Sequence, residues 1–480
     1  MTMPDFSLAS PEIFLLSALC TVLVVDLFLK PEQRGMTYVL AQISLLGTVA
    51  IIFLTGGKSS VSFAGSFIRD DMGDILKIAI CLVSVGVFLY SRDYLRERKL
   101  DKGEYYVLGL FAVLGMMVMV SSYSLLMIYL GIELLSLSLY ALVAFNRNSV
   151  SSSEAAMKYF VLGAIASGML LYGMSILYGL TGSLEIPAIY AKISREVASQ
   201  GIDMALVFGL VFVLVGIAFK FGAVPFHMWV PDVYEGAPTP VALMISAAPK
   251  IAAFAMVIRV LVEGLGSLHA DWQQMLVLLA ILSIGLGNVV AIAQTNIKRM
   301  LAYSTISHVG FIFLGLLAGT KEGYAASMFY TITYAITSLG SFGVILLLSR
   351  KGFEAEQLAD FKGLNERHPW YAFIMMILLA SMIGIPGTAG FIAKLSVLEA
   401  VVRIDMIGLA IFAVILSVIG AYYYLRVIWY MYFEDAATDL PIDSSKDVQV
   451  FLSANGLLLL LLGIFPGLLM AFCMSSLGAG

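Results

Sequence analysis

Seven basic residues of this chain fall inside apolar runs or at their ends: Lys77, Lys158, Lys220, Lys250, Arg259, Lys394 and Arg426. A lysine within a membrane span costs roughly 2.5–3.5 kcal/mol on insertion scales, so it rarely sits there without a use. Similar runs hold a carboxylate, Glu133 in Tyr129-Leu130-Gly131-Ile132-Glu133-Leu134-Leu135-Ser136, and an imidazole, His308 in Ser304-Thr305-Ile306-Ser307-His308-Val309-Gly310. Taking an ammonium out of water disfavours its charged form, by up to about 3–5 pKa units, towards the range where a lysine loads and releases a proton. A carboxylate about 7 Å away opposes that by about 2.4 kcal/mol at an effective dielectric near 20, just under about two pKa units. Moving one carboxylate therefore switches a lysine between its two states. Glu133 close to Lys158 or Lys220 would make such a switch, and His308 titrates near the working range. The chemistry of this set is proton transfer.

Each of these residues also has a plainer reading. Lys158 lies one turn into its run, from which a lysine snorkels to the interface. Glu133 and Lys250 can be partners in buried ion pairs, and His308 a hydrogen-bonded core residue. Lys220 and Lys394 adjoin helix breaks, which makes a purely structural role the weaker reading for them. The hydroxyls of Tyr303, Ser304, Thr305, Thr331, Thr333, Tyr334, Thr337 and Ser338 either hold water between the lysines or pack helices together. Asp26, Lys77 and Arg259 read as structural or interfacial. Glu399, one turn past Lys394, either pairs with it or leads protons outwards.

The elements that must position these groups are membrane helices. Of 480 residues 60% are hydrophobic and 12% charged, with a mean hydropathy of +0.96; a soluble domain carries about twice that charged fraction. The net charge of −4 gives no support for a nucleic-acid partner. Cys20, Cys81 and Cys473 lie far apart in apolar runs, so no disulfide framework, iron–sulfur cluster or zinc site is indicated. No GxGxxG or GxxxxGK[ST] motif occurs, which leaves nucleotide binding without support. The N-terminus lacks a basic region and a cleavage site, so its first apolar run reads as a retained span.

A span needs about 20 mostly apolar residues. That rule predicts fourteen: 11–30, 37–55, 74–91, 105–121, 123–145, 155–180, 204–224, 238–262, 272–293, 299–319, 323–349, 370–400, 404–433 and 448–477. The connection 181–203 holds Ile186-Pro187-Ala188-Ile189-Tyr190-Ala191-Lys192-Ile193, a candidate amphipathic surface helix. Loops after odd-numbered spans carry fifteen Lys and Arg (Arg350 and Lys351 among them), and loops after even-numbered spans carry six, including Lys58. The bias puts both termini on the non-cytoplasmic side. Lys220 precedes the Pro/Gly segment Gly222–Pro240, and Lys394 follows the break Met382–Phe391. Glu133 and His308 are 175 positions apart, Lys220 and Lys394 174, which suggests duplicated five-helix units, inverted because an odd number of spans separates them. The expected fold is an all-α polytopic membrane protein of about fourteen helices, forming a single transmembrane domain over 1–480. Within it, residues 1–104 hold helices 1–3, 105–262 a first repeat, 272–433 a second repeat and 448–480 the last helix.

Pro225-Phe226-His227-Met228-Trp229-Val230-Pro231-Asp232-Val233-Tyr234-Glu235-Gly236-Ala237-Pro238-Thr239-Pro240-Val241 resembles the signature of the antiporter-like membrane subunits of respiratory complex I. The resemblance covers essentially the whole chain, and the Ser304–Gly310 segment and Pro249-Lys250 also match. Lysine at Lys394 is similar to the N-type branch and unlike the M type, which has glutamate there; the chain stops after span 14, without the lateral helix of the L type. The resemblance implies two inverted five-helix repeats with broken helices 7 and 12. It also implies proton translocation in an NADH-quinone oxidoreductase, driven by electron transfer in other subunits. Glu133 would then be the coupling carboxylate and Lys220 its partner. Lys158 and Lys250 would form a central relay beside His308, and Lys394 would sit at the outlet or at the next subunit. No cofactor is expected in this chain; FMN, iron–sulfur clusters and quinone belong to partner subunits, and the neighbours are other membrane subunits of a bacterial cell membrane complex. The rival reading is a subunit of a multisubunit sodium or potassium/proton antiporter, and a third is a membrane scaffold whose lysines only pair carboxylates.

Overall fold

A computed structural model describes residues 5–57, 59–349, 352–436 and 444–477; Lys58, Arg350 and Lys351, counted among the loop bases above, lie outside them. The helices are α1 (Ser10–Phe28), α2 (Gly35–Thr55), α3 (Asp71–Glu97), α4 (Gly103–Ser121), α5 (Leu125–Val143), α6 (Val150–Thr181), α7 (Ile186–Gln200), α8 (Met204–Phe221), α9 (Trp229–Gly236), α10 (Thr239–Ser246) and α11 (Ala248–Val257). They continue as α12 (His269–Ile292), α13 (Ile297–Leu317), α14 (Lys321–Leu348), α15 (Leu364–Arg367), α16 (Pro369–Ile383), α17 (Ala389–Arg403), α18 (Ile407–Phe433), α19 (Lys446–Ile464) and α20 (Gly467–Ser476). Among the described residues, thirteen runs are long and apolar enough to cross a membrane. The broken pair α16–α17 supplies the fourteenth. Helix α7 is the surface helix that its pattern predicted, burying Ile186, Ile189 and Ile193 along one side.

The breaks have local causes. Helix α8 stops at Gly222, whose φ of 77° is left-handed, and Pro225 follows with no N–H to continue the ladder. Helix α16 stops at Gly384 with φ 89° in the same way. Two spans expected to be continuous are not. Residues 238–262 divide at Ala247 (φ −102°, ψ −86°), because the ring of Pro249 excludes the helical carbonyl four residues before it. Beyond α11 the chain widens into a π-helical stretch, Ile258–Gly264. Residues 448–477 divide between α19 and α20 at Phe465-Pro466.

The two repeats are visible in a shared close contact. A Cβ on Gly115 of α4 would lie 2.6 Å from the Leu135 nitrogen and 2.9 Å from the Gly131 oxygen of α5. One on Gly287 of α12 would lie 2.7 Å from the Ser307 nitrogen and 2.9 Å from the Tyr303 oxygen of α13. All three positions recur 172 residues on (115 to 287, 131 to 303, 135 to 307). The two breaks, Gly222 and Gly384, are 162 apart. This register corrects the pairing of side chains inferred from equal spacing. His308 stands at the place of Ser136, not of Glu133, and Lys220 precedes its break whereas Lys394 lies in the half-helix after its own.

The α10–α11 run and α13 are buried almost throughout, whereas α1, α18 and α19 present most of their length to the outside. The centre of the molecule therefore holds Lys250 and His308.

Candidate functional site

On α5, Glu133 is partly buried and accepts a hydrogen bond from the Ser167 hydroxyl of α6, itself 3.3 Å from the Tyr129 hydroxyl. One turn on, Ser136 accepts from the Lys220 ammonium and donates to the Ile132 carbonyl. Residues three apart share a helix face, so Lys220 docks on the face that carries Glu133, within reach of its charge.

Lys250 is buried and reaches the end of the same half-helix. Its Nζ lies 2.8 Å from the Phe221 carbonyl and 3.4 Å from that of Lys220. Those carbonyls have lost their helical donors. Four residues past Phe221 stands Pro225, without an N–H, and the Val224 N–H, four past Lys220, donates to Ser283 Oγ at 3.0 Å. A cation at a helix C-terminus also meets the negative end of the macrodipole. The face of Trp229 covers the ammonium at 5.6 Å. A cavity of about 20 Å³ between Ser136, Lys220, Trp229 and Lys250 has room for about one water.

Lys394 repeats the arrangement at the second break. Its Nζ donates to the Ile383 carbonyl (2.9 Å), the last before Gly384, and to Ser417 Oγ (2.8 Å), with the Phe311 ring 5.0 Å away. Lys394 thus caps its break as Lys250 caps the first, although the two stand on different spans of their units. A groove of about 300 Å³ opens beside it.

His308 lies between the two. Nδ1 is 2.7 Å from the Tyr330 hydroxyl and Nε2 3.1 Å from that of Tyr424, which also bonds Ser304 at 2.5 Å. Tyr334 stacks obliquely on the imidazole at 5.1 Å and donates to Thr305 (2.7 Å). Ser338 donates to Ser246 (2.8 Å), four residues before Lys250 across the break at Ala247. A cavity of about 10 Å³ joins His308 and Tyr334 to Ser381, Gly390 and Ala393, the neighbour of Lys394.

Lys158 is not part of this line. Its side chain is 45% exposed and pairs with Glu154 (2.8 Å) and Asp232 (2.7 Å). Arg299 completes the cluster on Asp232 (2.9 Å) and Glu235 (2.8 Å). The partners of Lys158 are thus on α6 and α9, not beside Lys250. Glu399 pairs with Arg403 (2.7 Å) rather than with Lys394.

The other basic residues in spans are tied down. Lys77 pairs with Glu12 (2.7 Å), Arg259 with Asp70 (2.7 Å) and Glu263 (2.8 Å), and Lys298 with Glu356 (2.5 Å). Arg426 donates to the carbonyls of Ile292 and Gln294, and Asp26 accepts from Thr37. Thr331, Thr333 and Thr337 donate to carbonyls of their own helix. Sequence reasoning missed Ser136, Ser167, Ser246, Tyr330, Ser417 and Tyr424. Only Ser136, three residues after Glu133, carried a usable signal.

Among the described residues no group of three or more His, Cys, Asp or Glu is placed to hold a metal ion. A family profile described as NADH:quinone oxidoreductase/Mrp antiporter, TM, matches residues 122–420. A protein of Thioalkalivibrio sulfidiphilus named NADH-quinone oxidoreductase subunit N is 61% identical over 98% of this chain and 97% of its own. The chain belongs to the subunit N family of NADH-quinone oxidoreductases. Among solved structures, a chain of respiratory complex I from Thermus thermophilus with bound aureothin superposes with a TM-score of 0.83 at 30% identity, over 96% of this chain and 98% of that one. A chain of the Mrp complex from Dietzia sp. DQ12-45-1b shares the fold, at 20% identity and a TM-score of 0.83 over 99% and 97%.

Proposed function

We propose that this member of the subunit N family translocates protons along Glu133, Lys220, Lys250, His308 and Lys394, and that Lys158, expected as a relay residue, stays off this line in its ion pairs with Glu154 and Asp232. One observation carries the reading. Lys77, Arg259 and Lys298 are held by carboxylates, whereas Lys220, Lys250 and Lys394 are held by hydroxyls and backbone carbonyls. A permanent ion pair fixes the charge of a lysine. A lysine held by neutral acceptors keeps its sites satisfied when charged and is free to give up a proton when a neighbouring charge moves. That argues against a scaffold.

Glu133, partly exposed on α5, would be the group that moves or changes charge in response to a neighbouring subunit, with Ser136 conveying the change to Lys220. The hydroxyls of Ser246, Ser338, Tyr334 and Thr305 lie between Lys250 and His308, and single waters in the two small cavities would complete the path. Residues 105–262 and 272–433 serve as the two conducting units.

The identity of 61% to a subunit N, against 20% for the Mrp chain, favours a role in NADH-quinone oxidoreductase over sodium or potassium antiport. In that assembly this chain is a translocase subunit without a redox centre; FMN, iron–sulfur clusters and the quinone site reside in partner subunits. It spans a bacterial cell membrane with both termini on the non-cytoplasmic side, as the loop charges indicate, and contacts neighbouring antiporter-like and small membrane subunits. The test is NADH-driven proton pumping and quinone reduction in membranes carrying Lys220→Ala, with assembly checked. Assembly with strongly reduced turnover supports the reading; full pumping removes Lys220 from the path.

A further inference from the structure

A groove of about 530 Å³ lies away from the lysine line, between α1, α4 and the end of α5. Asp26, Lys102, Glu104 and Arg147 stand at the ends of these helices, and Leu23 and Phe111 line the groove about one to two turns deeper. The polar end belongs to loops after odd-numbered spans, the side with the excess of basic residues, so it lies at the level of lipid headgroups on the cytoplasmic face. Lys102, Glu104 and Arg147 make no side-chain hydrogen bond or ion pair with other described residues, whereas Asp26 accepts from Thr37.

Two cations and two carboxylates at one mouth do not suit a doubly anionic head. They suit a zwitterion. We infer that the groove between Asp26, Lys102, Glu104 and Arg147 is a binding site for a phospholipid with a phosphate and a primary ammonium, a phosphatidylethanolamine. Lys102 and Arg147 bind the phosphate, Arg147 in the bidentate manner open to a guanidinium. Glu104 and Asp26 accept from the ammonium, a bond that a quaternary choline head cannot make. One acyl chain lies along Leu23 and Phe111. None of the four residues belongs to the proton line, so the site acts on the stability of the α1–α4–α5 face.

The test uses the whole purified complex carrying Lys102→Gln with Arg147→Gln, compared with the parent by native mass spectrometry and by lipid extraction after the same detergent wash. The expected result is an assembled, active complex that has lost a tightly held phosphatidylethanolamine, with retention weakened about tenfold or more. After delipidation, phosphatidylethanolamine restores the parent's thermal stability, and phosphatidylcholine does not. Unchanged retention in the variant overturns the inference. So does loss of cardiolipin or phosphatidylglycerol instead, and so does a photoreactive side chain at Leu23 that crosslinks to a neighbouring subunit rather than to lipid.

Discussion

Lys250 caps Phe221: its ammonium lies 2.8 Å from a carbonyl whose helical donor would be the nitrogen of Pro225. The helix break and the buried lysine are one device. The break frees carbonyls that must be satisfied at membrane depth, and the lysine satisfies them while keeping its own charge out of an ion pair. Lys394 and Ile383 stand in the same relation at the second break.

The geometry at Gly384 makes one prediction. A Cβ there would lie 3.0 Å from Lys394 Cδ, on a residue with φ 89°. Gly384→Ala is expected to cost about 1–2 kcal/mol in backbone strain and to push Lys394 off the Ile383 carbonyl. Thermal unfolding of the complex reads the first effect. The second is read as a fall in pumping larger than that of Gly387→Ala, where nothing lies within 4 Å and φ is 92°.

Ser136 links the face of Glu133 to Lys220. Ser136→Ala leaves the ammonium without that acceptor, and removal of one partner from a buried polar group costs about 1–3 kcal/mol. NADH-driven quinone reduction should fall several-fold and recover in Ser136→Thr, which restores the hydroxyl. Equal rates in the alanine and threonine variants would show that the hydroxyl has no part in the path.

Lys158 and Asp232 should differ in weight. An exposed ion pair is worth about 0–1 kcal/mol, so Lys158→Ala should retain most of the pumping. Asp232 holds Lys158 and Arg299 together and anchors α9, the half-helix that carries Trp229 over Lys250. Asp232→Asn should therefore lower pumping more than Lys158→Ala does. The reverse order would place Lys158 on the path itself.

His308 joins two tyrosines. Tyr424→Phe removes the bond to Nε2 and the link to Ser304 while preserving volume, and is expected to slow turnover by about a factor of ten, the upper scale of one lost hydrogen bond. Rates from single-turnover proton release would check it.

Much of this was legible in the chain. Apolar runs of span length, the Pro/Gly punctuation after Lys220 and before Lys394, and the amphipathic pattern of α7 follow from local physics. The break at Ala247 was written in Pro249, but the unbroken apolar run around it hid the change. Equal spacing misled in the repeats. The units are offset by 172 at the helix pair and 162 at the breaks, so two polar pairs at 174 and 175 do not mark equivalent sites. The partners of each lysine were the least legible part. Whether Lys158 turns inward or out to Asp232, or which serine meets Lys220, depends on contacts between helices distant in sequence.

The central claim is that Lys250 works by releasing a proton and not merely by capping a helix. The measurement is NADH-driven proton pumping by the assembled complex carrying Lys250→Arg, reconstituted in sealed vesicles. Arginine supplies the cation and the donors but remains protonated in proteins. The account predicts an assembled complex of near-parent stability whose pumping and quinone reduction are severely reduced. Pumping at the parent's rate in that variant would contradict it, leaving Lys250 a structural cap.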